Sequence, residues 1–121
     1  MKFIVDRQTW FRGEGGLKSR LLNKDGQRCC IGFVASQCGV PDEQLLDTSS
    51  VHSMHDRAEF RLSLKSRQAL PKWMHSSGLH FLGALYAAYS TNDWIAIPDA
   101  DRESQLKAIF SEHGDEIEFI N

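Results

Sequence analysis

The chain has 121 residues, 41% hydrophobic and 25% charged, which suits one globular domain that buries a core without disulfides or metals. This excludes a disordered chain, and no apolar run reaches the roughly 20 residues of a membrane span or forms an export signal. The net charge of −2 conceals an asymmetry: residues 1–72 hold 12 Lys and Arg against 8 Asp and Glu, whereas residues 73–121 hold 2 against 8. Such a division predicts that the two ends of the chain attract each other in the fold, the alternative being a basic face for an anion and a separate acidic face. With a pI of about 6.2, the chain is far less basic than usual non-specific nucleic-acid binders, so direct DNA or RNA binding is not expected. Three cysteines, an odd number without an export signal, read as free thiols in a reducing, cytoplasmic compartment.

In chain order, Phe3-Ile4-Val5 predicts a short strand, and Asp6 a cap for one helical turn through Trp10. Arg12-Gly13-Glu14-Gly15-Gly16 is a loop, because its glycines remove most backbone restriction. Lys24-Asp25-Gly26 between Arg20-Leu21-Leu22 and Gln27-Arg28-Cys29 is a hairpin signal. Ile31, Val34, Ala35 and Cys38 make one apolar helical stripe, ended by Gly39 and Pro41. Asp42 caps a further short helix through Leu46, and residues 47–57 form a loop. Ala58, Phe60, Leu62 and Leu64 alternate with charged or polar residues as in a half-buried strand ending at Lys65.

Beyond Pro71, Leu79 to Tyr89 is apolar nearly all round and predicts a buried central helix. Thr91-Asn92-Asp93 reads as a turn, and Ile95 to Ile97 as a short strand. Asp101 to His113 predicts an amphipathic helix ended by Gly114, and Glu116 to Ile120 a closing strand. Without a regular βαβ rhythm, the expected fold is a single α+β domain over residues 1–121, a small mixed or antiparallel sheet against three to four helices.

Several chemistries compete for these residues. Cys29 and Cys30 enter a helix N-terminus, which stabilises a thiolate, but no catalytic signature surrounds them and structural thiols are the simpler reading. Neither a catalytic residue nor a cofactor is therefore expected. Cys29, Cys30, Cys38, His52 and His55 lack the spacing of zinc knuckles. Asp99, Asp101 and Glu103 begin like a calcium loop, but Ser104 and Phe110 occupy the positions that need Gly and Glu, so no metal site is expected.

The glycine-rich loop carries more. Gly13, Gly15 and Gly16 lie among Arg12, Lys18 and Arg20, with Arg28 across the hairpin. Free backbone N–H groups beside guanidinium forks suit a phosphate-bearing small ligand such as a nucleotide, with Asn92 and Asp93 completing a polar pocket. Arg61, Lys65 and Arg67 extend the basic surface. Trp73, Phe81, Tyr86, Tyr89 and Phe110 read as core, whereas Trp10 and Phe11 beside the loop suit either the core or an exposed anchor for a partner, since aromatic and arginine residues dominate interface hot spots.

The run Trp10-Phe11-Arg12-Gly13-Glu14, then Leu21-Leu22, Asp25-Gly26-Gln27-Arg28-Cys29-Cys30-Ile31-Gly32-Phe33 and Cys38-Gly39 resembles a group of small bacteriophage and prophage proteins. Asn92-Asp93, Arg102-Glu103, Leu106, Phe110, Gly114 and Phe119 are similar to the closing helix and strand of that group, while Thr48 to His75 has no counterpart. No activity attaches to the Cys-Cys-x-Gly-Phe marker, so no catalytic residue is carried over. The resemblance implies a phage-encoded protein in a bacterial cytoplasm, and such proteins often act by binding. The leading expectation is a non-enzymatic inhibitor of a host protein, for example an anti-defence protein such as an anti-CRISPR. The alternative is a sponge for a nucleotide signal, and the third reading is a Cys-dependent enzyme.

Overall fold

The computed structural model describes residues 1–13, 20–48, 62–75 and 83–121. Among them the order is strand β1 (Lys2–Asp6), helices α1 (Cys30–Gln37), α2 (Asp42–Leu45) and α3 (Leu64–Ala69), a 3-10 turn (Lys72–Met74), helices α4 (Ala84–Asp93) and α5 (Asp99–Glu112), and strand β2 (Glu116–Ile120). The class is α+β, but the expected mixed or antiparallel sheet gives way to a parallel pair, with Lys2 opposite Glu116 and Asp6 opposite Ile120. Five α-helices are described rather than three or four. Parallel strands need a long crossover, and here residues 7–115 supply it.

Alternation within the strands sets the layers. Phe3, Val5, Ile117 and Phe119 are buried, while Lys2, Glu116 and Ile120 are exposed. Phe110 of α5 meets Phe3 and Trp73 edge-on, with ring centroids 6.1 and 5.0 Å apart. Trp10 packs on Phe119 at 4.8 Å. These rings join β1, β2, α5 and the 3-10 turn in a hydrophobic core to which α1 contributes Ile31 and Val34.

Two glycines of this region have distinct reasons. Gly39, at φ +91°, follows α1 as expected of a left-handed residue after a helix. Gly32 lies inside α1 where a Cβ would fall 1.9 Å from the Leu21 carbonyl oxygen, so only glycine lets the helix lie on the preceding segment.

The hairpin expected around Asp25-Gly26 is a closed loop without a regular ladder. Asn23 N–H donates to Gln27 O (2.8 Å) and Cys29 N–H to Arg20 O (3.0 Å), with Gly26 at φ +82°. Its limbs instead make isolated parallel bridges, Trp10 with Arg28 and Leu22 with Leu46. Asp6 holds a turn, not a helical turn: its carboxylate accepts from Gln8 N–H (2.9 Å), and Trp10 then bridges Arg28.

Other boundaries move for local reasons. Pro41, rather than Asp42, precedes α2. Leu64 and Lys65 begin α3 instead of ending a strand, because Ser63 Oγ accepts the Ser66 N–H (3.1 Å) and caps the helix. Residues 58–61 of that expected strand lie outside the described residues, as do 49–57 of the expected loop. The expected helix Leu79 to Tyr89 is described from Ala84 onward; Thr91-Asn92-Asp93 forms its last turn, and Tyr86 is exposed rather than core. Ile95 to Ile97 is a turn, not a strand.

Candidate functional site

The N-terminal segment, the Cys29-Cys30 junction and the end of α4 meet at one side chain. Asn92 is fully buried. Its Oδ1 accepts from Trp10 Nε1 (2.7 Å) and from Cys30 N–H (2.9 Å), and its Nδ2 donates to Phe11 O (3.0 Å) and Asp93 Oδ1 (2.8 Å). One amide thus ties together three segments remote in sequence. Gly13 extends the junction: at φ +71°, its missing Cβ would lie 3.0 Å from Asp93 O.

Arg102 supports this junction from α5. It is 4% exposed, and its Nη1 donates to Asn92 O (2.8 Å) and Thr91 O (3.1 Å), its Nη2 to Ile97 O (3.3 Å). The guanidinium therefore satisfies carbonyls that a helix C-terminus leaves open, and fixes the turn that follows. On that turn Trp94 and Ile95 stand 50% and 64% exposed. Sequence reasoning missed Arg102, Trp94 and Ile95 as site residues. The signals were there: Arg102 is one of two basic residues after position 72, and Trp94-Ile95 follow a helix end before Pro98.

Of the expected binding residues, Trp10, Phe11, Arg12, Gly13, Arg28, Asn92 and Asp93 come together here, though as a packed junction. Trp10 is 2% exposed, so of its two readings it takes the core one and is not an exposed anchor. Arg12 stacks over Trp10, 4.6 Å from the ring centroid, and pairs with Asp99. Arg28 flanks Trp10 through Phe11 N–H to Arg28 O (2.8 Å), and its guanidinium pairs with Asp42 (3.1 Å). Arg20 is exposed, its carbonyl accepting Cys29 N–H. Gly15, Gly16 and Lys18 lie outside the described residues, as do Arg61 and Phe81. Arg12 and Arg28 of the expected cationic cluster are thus balanced by carboxylates.

The thiols are buried as well. Burial pushes the Cys29 thiol up to about 12, against the pull of the Gly32 and Ile31 N–H groups of α1. Cys30 is raised well above the ordinary range by burial, then by Cys29 and Asp93. Desolvation outweighs the helix N-terminus, so neither sulfur is a ready nucleophile. His75 Nε2 contacts Leu70 O (2.9 Å), and His113 stacks on Trp73. His52 and His55 are outside the described residues. Asp99 and Asp101 occupy the first turn of α5, where the helix dipole favours carboxylates.

No protein family, curated protein or solved structure matches the chain.

Proposed function

We propose that this chain is a non-enzymatic binding protein that inhibits or redirects a host bacterial protein, the class to which anti-defence proteins such as anti-CRISPRs belong. The observation that carries this reading is the turn after α4, where Trp94 and Ile95 face solvent on a backbone held by the buried Arg102. Large apolar side chains kept exposed on a fixed backbone suit a partner, because little ordering entropy remains to be lost on docking. Tryptophan is among the side chains that most often dominate an interface. The phage and host assignments rest on the sequence resemblance alone. The anchor moves from Trp10, which is spent inside the fold, to Trp94.

The test compares the chain with its Trp94→Ala/Ile95→Ala variant for capture of a specific host protein and for relief of phage restriction. The reading expects both activities in the parent chain and neither in a variant of unchanged melting temperature. Equal activity in the variant overturns the turn as the binding site.

A second reading, a sponge for a phosphorylated small molecule, is favoured by one atom. Arg28 Nη1 is buried and has no hydrogen-bond partner among the described residues, a state that an anion would relieve. Calorimetry against a nucleotide panel tests it: heat that disappears in Arg28→Ala supports the sponge, and no heat across the panel dismisses it.

A further inference from the structure

The two strands share one ladder, and its hydrogen bonds fix which backbone groups point outward. Glu116 N–H donates to Met1 O (2.8 Å) and Arg7 N–H to Ile120 O (2.9 Å). With Lys2 opposite Glu116 and Asp6 opposite Ile120, the parallel register turns Glu116, Glu118 and Ile120 backbone groups toward β1. The same register turns the N–H and C=O groups of Ile117 and Phe119 away from it, and those of Lys2, Ile4 and Asp6 away from β2.

The outer edges of the sheet differ. On β1, the Gln37 amide closes the middle: its Oε1 accepts Ile4 N–H (2.9 Å) and its Nε2 donates to Ile4 O (2.7 Å). On β2, the outward groups of Ile117 and Phe119 have no hydrogen-bond partner among the described residues. Folded proteins seldom leave such a row unpaired, and an open edge is a template for a further strand.

We infer that the outer edge of β2 takes up an extended segment of a partner protein as a third strand, and that this segment alternates basic with apolar residues. The charge pattern selects the occupant. Glu116 and Glu118 stand on the solvent face of the sheet, Ile117 and Phe119 on its buried face. A neighbouring strand therefore meets the Glu116 carboxylate on one face, beside a Glu118 already paired with Lys2, and an apolar layer on the other. β1 already illustrates the match: its Lys2 pairs with Glu118 at 2.8 Å, while Phe3 and Val5 enter the core. Lys107 and Arg7 lie near the Phe119 ring, each 6.0 Å from its centroid, and Asp115 at the other end is occupied by the Met1 amine and Trp73 Nε1. A second copy fits poorly, because pairing β2 with β2 about a two-fold axis sets Glu116 and Glu118 beside their equivalents, and like charges opposite each other destabilise a sheet. This inference does not rest on the Trp94-Ile95 turn.

The test is amide hydrogen exchange on the whole chain, read by NMR, with an eight-residue Lys-Val repeat as probe and a Glu-Val repeat as control. In the free protein, Ile117 and Phe119 amides exchange at least about tenfold faster than those of Glu118 and Ile120, whose partners are in β1. The Lys-Val peptide slows the Ile117 and Phe119 amides by about tenfold at saturation, and the Glu-Val peptide leaves them unchanged. Glu116→Gln, which removes an exposed carboxylate but no ladder bond, weakens the Lys-Val peptide by roughly two- to fivefold. Slow exchange of both amides in the free protein at low concentration overturns the open edge. Equal slowing by the two peptides, or by neither, overturns the basic occupant. Protection that grows with protein concentration without peptide assigns the edge to a second copy and overturns the proposal.

Discussion

Asn92 does the most to join the segments of this molecule. Its removal takes a partner from the Phe11 carbonyl and leaves the Trp10 indole N–H and the Cys30 N–H without the acceptor they share. Each buried group left unpaired costs about 1–3 kcal/mol, so Asn92→Ala is expected to lose about 3 kcal/mol or more in a urea titration. The sequence marked Asn92 and Asp93 as members of a polar site. It did not reveal that the Asn92 amide is consumed within the fold, because three of its partners, Trp10, Phe11 and Cys30, lie 62 to 82 positions away. The buried thiols make a second prediction. Each favours its neutral form in the folded protein, so their contribution is complete below the ordinary thiol value of 9.0 and is lost as pH rises toward about 12 for Cys29. Stability should fall above pH 9 by up to about 1.4 kcal/mol per pH unit for each thiol, and the fall should flatten in Cys29→Ala/Cys30→Ala. Denaturant titrations at pH 8, 9 and 10 measure this, and the same slope in parent and variant contradicts it.

Elements with a clear period were legible, and those set by a single local bond were not. Helix α1, helix α5 and both strands follow from apolar spacing and flanking glycines. The alternation through Leu62 and Leu64 suggested a strand, but the Ser63 hydroxyl redirects the chain into α3. Similarly, Ile95 to Ile97 has strand-like residues, but Arg102 draws the Ile97 carbonyl into a turn. Neither side-chain bond has a periodic signature. The marker sequence around Cys29-Cys30 acquires a physical reason in Gly32, whose place in α1 is set by contact with Leu21 rather than by helix propensity. Glycine to alanine inside a helix ordinarily stabilises by about 0.5–1 kcal/mol. Here Gly32→Ala is expected to destabilise by roughly 1–3 kcal/mol or more, since the obstructing atom belongs to the backbone. A raised melting temperature in this variant would contradict the packing described for α1.

The charge asymmetry along the chain becomes a clasp in the folded molecule. The Met1 amine pairs with Asp115, Lys2 with Glu118, Arg7 with Glu103 and Arg12 with Asp99. All four join the first twelve residues to α5, β2 or the turn between them, as the opposite signs of the two ends predicted. These pairs are wholly or partly exposed, and solvent-exposed pairs contribute little to stability. Raising salt to about 1 M, where the Debye length is roughly 3 Å, should therefore lower the melting temperature only slightly. A large fall would mean that charge rather than the shared core holds the ends together. The parallel pairing of those ends was not legible, because strand direction depends on the crossover between them and not on their own residues.

The function proposed for the whole molecule depends on the Trp94-Ile95 turn. Arg102 and Asn92 explain why that turn is stiff, and its exposed residues explain what it offers a partner. The deciding measurement is the affinity of the captured host protein for the parent chain and for Trp94→Ala/Ile95→Ala, with both chains folded to the same melting temperature. A weakening of about 30-fold or more, the loss of at least one hot-spot residue, is predicted. Unchanged affinity, or no specific host protein captured by the parent chain, would contradict it.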